Sequence, residues 1–289
     1  MDLTLIKLIV HNIILSLDRM FLYFRLLMEN SKKIQKIGFI GSGKVATNMA
    51  TALYKQGFLI SQIYSPTAKH AQILAKKVGA ESISSIDKFQ RNLDLIIISI
   101  SDSALSQLDL SSIEKNILVC HTSGSIDMAV LNTRNNYGVF YPLQTFSNQR
   151  HIEFSSIPIC IEANDINSLN RLLALGNSIS NNVSEIDSQK RSVLHLAAVF
   201  VCNFTNAMYA IGENILKEAN IDFDLLRPLI EETAHKVIHH SPQEVQTGPA
   251  LREDKLIMDK HISDLKDNKD FVEVYKLISK IIHKENNVK

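Results

Sequence analysis

The stretch Ile34-Gln35-Lys36-Ile37-Gly38-Phe39-Ile40-Gly41-Ser42-Gly43-Lys44-Val45-Ala46 decides the fold. A short apolar strand runs into Gly41-x-Gly43-x-x-Ala46, and Lys44 to Gln56, closed by Gly57, has the pattern of a helix. In such a junction Gly41 permits the tight turn, Gly43 removes a side chain that would block close backbone approach, and Ala46 lets the helix lie on the strand. The free amides of the new helix then face an anion. Gly41, Ser42, Gly43, Lys44, Val45 and Ala46 are accordingly read as a cradle for the diphosphate of a dinucleotide.

The next strand, Phe58 to Ser65, lacks the terminal Asp or Glu that would hold the ribose hydroxyls of NAD, and no acid lies between Gly57 and Val78. Ser65, Pro66, Thr67, Lys69 and His70 offer hydroxyls and a cation, which accept a 2′-phosphate without repelling it. NADP is therefore expected over NAD, with Ser65 and Thr67 among its contacts. An ordinary polar turn without cofactor preference is the other reading.

From Ile34 onward apolar runs alternate with helical stretches, the pattern of an α/β, doubly wound parallel sheet. Candidate strands are Lys36 to Ile40, Leu59 to Tyr64, Asp94 to Ile100 and Asn116 to Cys120, joined by Val139 to Tyr141, Ile157 to Ile161 and Val183 to Ile186. Ligands of such sheets sit beyond the carboxyl ends of the strands. Ser99, Ser101 and Asp102 follow one strand and are expected beside the cofactor's ribose and nicotinamide half, although Asp102 equally suits a helix cap. His121-Thr122-Ser123-Gly124-Ser125 follows another and reads either as a cradle for a polar substrate or as a turn whose His satisfies the backbone. The segment Gly138 to Phe146 reads as a strand entering a Pro turn, its aromatics as packing.

Composition narrows the function classes. A chain of 289 residues, 45% hydrophobic and 21% charged, is an ordinary soluble globular protein with room for two domains. The net charge is +1 and the cations are scattered, which argues against nucleic-acid binding. Cys120, Cys160 and Cys202 have no paired metal spacing, so neither a disulfide scaffold nor a metal site is expected and a cytoplasmic setting is.

Leu3 to Met28 is rich in Leu, Ile and Phe, but Lys7, His11, Asp18 and Arg25 fall near one helical face. The segment reads as an amphipathic helix rather than a span of about 20 apolar residues. Asp2 stands where a signal peptide would be basic. Residues 1–28 are a helix packed on the body or a partner, a membrane-surface helix, or sequence upstream of a start at Met28, the last being preferred.

Beyond Asp187 the chain reads as helices, the longest from about Ser188 to Ala219. At about 100° per residue, Val193, Ala197, Phe200, Val201, Phe204, Met208, Ile211 and Ile215 share an arc expected to face the core. The opposite arc carries Arg191, His195, Cys202, Asn203 and Asn206 in place of Lys and Glu, and looks either into a cleft or into polar packing between helices. Further on, Gly248-Pro249 stops a helix and Asp254 can cap Lys255 to Leu265. Arg252 in that turn either grips a carboxylate or phosphate or pairs with Glu253 or Asp254.

These motifs, taken in order, resemble a family. Ile40 to Ala46, His121 to Ser125, Tyr141 to Phe146, His195 to Phe204 and Thr247 to Asp254 carry the likeness, which covers about Ile34 to His283. The chain resembles Rossmann-like NAD(P)-binding oxidoreductase homologues with a C-terminal domain of unknown function. These are similar to pyrroline-5-carboxylate reductase, ketopantoate reductase and the deazaflavin-dependent NADP reductases. The resemblance implies a Rossmann domain followed by a mostly helical domain like the 6-phosphogluconate dehydrogenase C-terminal domain, closing a cleft over the cofactor and shared within a homodimer. The family often has His where this chain has Tyr141, and Gly where it has Glu253. The long helix also lacks the Lys, four residues before an Asn, that related hydroxyacid dehydrogenases use as acid, leaving His195 and Asn203 to serve.

The resulting expectation is an NADP-dependent oxidoreductase transferring hydride to or from a small polar ketone, hydroxyacid or imine. His195 is the first candidate acid or base and His121 the second, with Asn203 orienting the substrate. Ser123, Gly124 and Asn206 would line the substrate site and Arg252 would bind its carboxylate or phosphate. The alternative is a non-catalytic NADP-binding sensor or assembly protein. The expected layout is an extension over 1–33, a dinucleotide-binding domain over 34–154 with the sheet continuing to about 187, and a helical domain over 155–284.

Overall fold

Four consecutive apolar residues, Leu95 to Ile98, make a strand buried on both faces, and the sheet extends outward from it. The computed structural model describes residues 33–146 and 152–286. The helix expected over Leu3 to Met28 lies outside the described residues, as do the three readings of it.

Eight strands form one sheet: β1 (Lys36–Ile40), β2 (Leu59–Tyr64), β3 (Glu81–Ile83), β4 (Leu95–Ile98), β5 (Leu118–His121), β6 (Tyr137–Pro142), β7 (Ile159–Ala163) and β8 (Val183–Glu185). Their spatial order is β3-β2-β1-β4-β5-β6-β7-β8. Strands β1 to β6 pair in parallel, with Ile37 opposite Leu95 and Ile98 opposite His121. The sheet therefore grows in two directions from β1 and β4, and this reversal puts a crevice at their carboxyl ends. The doubly wound Rossmann architecture is as expected, with two additions. Strand β3 was not anticipated, being three residues long with one buried. Strand β7 runs antiparallel to β6, Tyr141 facing Cys160; among the described residues between them only the short turn Phe154–Ser156 intervenes, not a crossover helix.

Helices cover both faces: α1 (Lys44–Lys55), α2 (Ala68–Val78), the short α3 (Asp102–Leu105), α4 (Ile166–Ile179) and α5 (Ser188–Ala198). Alternation along β4 divides the core. Leu95 and Ile97 pack with Phe39, Met49, Leu53 and Phe140, whereas Ile96 and Ile98 pack with Leu105, Ile113 and Leu131. The Asp94 carboxylate accepts from the Gln35 and Lys36 amides, both at 3.0 Å, and Arg171 donates to the Asp94 carbonyl at 2.9 Å, fixing the starts of β1 and β4.

The chain divides into two compact units at Phe200/Val201. That boundary lies within a π-helical turn, Val199–Phe204, that follows α5. The second unit holds α6 (Thr205–Glu218), α7 (Arg227–His239), α8 (Lys255–Asp264) and α9 (Lys269–Asn286). Asp254 caps α8 by accepting from Ile257 N at 3.3 Å. Glu253 takes φ 55°, the left-handed backbone for which the family's glycine is suited.

The apolar arc expected to face the core does not do so within the chain. Val193, Phe200 and Val201 are 65%, 60% and 75% exposed. The reason is partly the π turn, which inserts an extra residue and breaks the 100° phase on which the arc was drawn. Ser188 to Glu218 is also the one helical stretch among the described residues long and apolar enough to cross a membrane, by length and composition. Its first turns are instead tied to the sheet, since Arg191 is fully buried against Glu162.

Phe140, fully buried at the centre of the larger core, tests this packing. Phe140→Ala is expected to cost about 3–5 kcal/mol in urea denaturation, with the near-ultraviolet circular dichroism of the remaining folded protein unchanged.

Candidate active site

The carboxyl ends of β1, β4, β5 and β6 open onto a cleft of about 920 Å³, whose lining residues all belong to the sheet-containing unit. Its floor is the turn after β1. Gly41 has φ 109°, and a Cβ there would collide with the Ser99 carbonyl oxygen, so a glycine is required. The Gly41 amide donates to Tyr64 O at 2.8 Å and the Ser99 amide to Ile40 O at 2.7 Å, locking the turn between its neighbours. Gly43 differs: nothing lies within 4 Å of where its Cβ would be, and that space belongs to the cleft.

Helix α1 begins there without a side-chain cap and with no acid in its first turn. The first intrahelical bond runs from Thr47 N to Gly43 O at 2.9 Å, so the Lys44, Val45 and Ala46 amides precede the ladder. A cradle that a side chain would fill, ringed by first-turn amides and a lysine, fits a diphosphate.

Ser42, Lys44 and Val45 line the cleft, while Ala46 is fully buried beneath it. At the end of β2, Ser65, Pro66 and His70 line it; Thr67 is exposed at the start of α2 and is not part of the wall. Ser99, Ser101 and Asp102 all reach the cleft. The capping position of α3 belongs to Ser101 and not to Asp102, and no side-chain cap bond forms, leaving the Asp102 carboxylate exposed on the first turn.

The opposite wall is where sequence reading and structure differ most. His121 was expected as a second acid or base. It is fully buried and not among the cleft residues. Its Nδ1 accepts from the Ser123 amide at 3.2 Å, which shapes the turn after β5. Its Nε2 makes no hydrogen bond of good geometry, although the nearby Asp127 backbone favours a proton on the ring. Burial first, and the Arg191 charge second, depress this imidazole to about 4. Ser123 Oγ accepts from the Ser125 and Ile126 amides at 3.1 and 3.0 Å, so this loop is organised by its own polar groups.

His195 does line the cleft, and its Nδ1 lies 2.9 Å from Tyr141 Oη, the two rings meeting edge to face with centroids 5.9 Å apart. Tyr141, read from sequence as packing, stands in the cleft wall beside His195. It lies one residue before the carboxyl end of β6, at the sheet edge where ligands of such folds sit. Burial pushes its phenol up to about 12, the Arg191 charge opposing that rise. Gly124 makes room for the pair, since a Cβ there would stand 2.5 Å from His195 Nδ1 and 2.8 Å from Tyr141 Cζ.

Arg191, on the arc that the sequence turns either to a cleft or to polar packing, is wholly buried in polar packing against Glu162. Cys202 is half-buried, while Asn203, Asn206 and Arg252 are exposed; all four belong to the second unit. Among the described residues no three His, Cys, Asp or Glu side chains gather as a metal site.

Residues 28–145 match the family described as Rossmann-like domain, and residues 157–282 match a domain of unknown function, DUF2520. A crystal structure of a Bacteroides fragilis protein, provisionally named an NADP oxidoreductase, is 43% identical; the match covers 87% of this chain and 98% of that one, with TM-score 0.82. The chain belongs to this family of Rossmann-like proteins with a DUF2520 domain.

At lower identity the likeness is one of fold. An imine reductase from Myxococcus stipitatus, in complex with NADP+, is 14% identical over 86% of this chain and 93% of that one, with TM-score 0.62. Pyrroline-5-carboxylate reductase from Streptococcus pyogenes is 15% identical over 89% and 100%, with TM-score 0.54. No curated protein matches the chain.

The depressed His121 makes folding sensitive to acid. Its folded pKa lies below the unfolded value, so the unfolded chain binds more protons between them; stability is complete above pH 6.5 and lost as pH falls through about 4. The loss is expected to reach roughly 3 kcal/mol at about 1.4 kcal/mol per unit. Urea denaturation across this window should reveal it, and His121→Gln should flatten the slope.

Proposed function

We propose that this protein is an NADP-dependent oxidoreductase that moves hydride to or from a small polar substrate carrying a ketone, hydroxyl or imine. The observation that carries the reading is the Tyr141–His195 hydrogen bond in the wall of the same cleft that begins at the Gly41–Gly43 turn. Bound NADP would supply the hydride chemistry. The amides of Lys44, Val45 and Ala46 would hold its diphosphate, Ser99 and Ser101 its ribose, and Ser65 and His70 a 2′-phosphate. The absence of any acid between Gly57 and Val78 supports NADP over NAD, as do the NADP relatives.

The chain's own residues handle the proton. A phenol held near 12 is neutral and donates to His195 Nδ1, which leaves the imidazole proton on Nε2. As a substrate oxygen or nitrogen gains electrons, Nε2 gives up its proton and Nδ1 takes the phenol proton. Because burial disfavours the phenolate, the phenol oxygen draws a replacement proton from solvent as it gives up its own, and the reverse order serves oxidation. The Thr122 and Ser123 hydroxyls and Gln144 line this wall as neutral polar groups able to orient a substrate.

A homodimer in the cytoplasm completes the proposal. Val193, Leu196 and Phe200 in the first unit, and Met208, Ile215 and Leu229 in the second, are large, apolar and exposed, which suits burial against a second copy. Three free cysteines suit a reducing compartment.

Calorimetry with NADPH and NADH, followed by a turnover screen of cyclic imines, keto acids and hydroxy acids, tests the reading. Wild type should prefer NADPH, and Gly43→Val should abolish binding. His195→Asn and Tyr141→Phe should bind NADPH normally and lose about 10²-fold or more in kcat. Wild type that binds neither coenzyme at millimolar levels would overturn the reading, and NADPH binding without turnover would favour a sensor.

A further inference from the structure

We propose that Arg191, paired with Glu162, is a positioning residue for the Tyr141–His195 pair, seating the helix that carries His195 on the strands that carry Tyr141. The inference rests on the oxidoreductase reading and adds to it a residue that touches neither substrate nor cofactor.

Arg191 is the largest fully buried side chain of the described residues. Its Nη1 donates to Glu162 Oε2 at 2.5 Å, and its Nη2 to Ile126 O at 2.6 Å and Ser188 Oγ at 3.0 Å. Ser188 Oγ in turn donates to Glu162 Oε2 at 2.7 Å and accepts from Met128 N at 2.9 Å. One guanidinium thus joins β7, the segment after β5 and the first turn of α5. No such investment of buried polar groups is needed to hold an ordinary helix on a sheet, where apolar contact suffices.

The register explains what the network positions. Tyr141 faces Cys160 and Val139 faces Glu162 across the β6–β7 pair. Alternate residues share a face of the sheet, so Tyr141 and Glu162 emerge on the same side. On α5, Arg191 and His195 are four residues apart and likewise share a face. Arg191–Glu162 and His195–Tyr141 are therefore two rungs between one helix and one strand pair, a helical turn apart. Displacing the first rung displaces the second. The guanidinium also contributes a charge that opposes the burial-driven rise of the Tyr141 phenol, so its role is electrostatic as well as steric.

The test uses the full chain with Arg191→Met, Arg191→Lys, Glu162→Gln and Ser188→Ala, read by nitrogen NMR of His195 and by NADPH titration. Wild type should show one His195 tautomer, protonated at Nε2. Arg191→Met should show mixed tautomers and keep NADPH affinity within about twofold, because the glycine cradle is built elsewhere. On any substrate found, kcat should fall about 10- to 100-fold, and Arg191→Lys should recover most of it. If Arg191→Met does not fold, Glu162→Gln and Ser188→Ala carry the same readouts with little change of shape. Folded variants that all keep the single tautomer and full turnover make Arg191 a fold staple and overturn the proposal. Full turnover of Tyr141→Phe and His195→Asn would instead overturn the underlying reading, a separate outcome.

Discussion

Backbone meets backbone where β1 and β4 end, and the rest of the sheet unit depends on that contact. Gly41 sits so near the Ser99 carbonyl that no side chain can occupy it, while its amide reaches across to Tyr64 on the other flank. The last residues of β1 are held from both sides at once. Because the chain order reverses at this point, the helices after β1 and β4 diverge and leave the edge open. A packing constraint on one glycine thereby creates the space beside the next, and Gly43 keeps that space clear.

Much of this was legible in the amino-acid sequence because it is local. The glycine turn, the helix after it and the acid-free end of β2 are each encoded within about a dozen residues, where strand, turn and helix chemistry act directly. Tyr141 was not legible, for a physical reason. Phe140 beside it belongs to the core on one face, and Tyr141 packs with Cys160 on the other; which face borders the cleft is fixed only when β6 has found its place beside β5. The same holds for His121 and Arg191. Either could have faced a ligand by type and position, and tertiary burial made one the organiser of a turn and the other the centre of a buried ion pair.

The two units are built on different terms. The first closes its own core, with aliphatic residues on both faces of β4 wholly removed from water. The second has no buried residue on α6, α7 or α8 and carries Leu225, Ile238 and Leu256 well exposed. Its cohesion is not that of a free-standing domain, since exposed apolar side chains of this size contribute little until something covers them. The Tyr141–His195 pair, by contrast, lies entirely in the first unit.

The six-residue π turn at Val199–Phe204 has an evolutionary corollary. A π turn holds one residue more than the α turn it replaces, so deleting a single codon there would restore regular winding and leave the turns on either side in phase. A change of length by one residue is thus accommodated at that turn, whereas within regular α-helix it would rotate everything after it by about 100°.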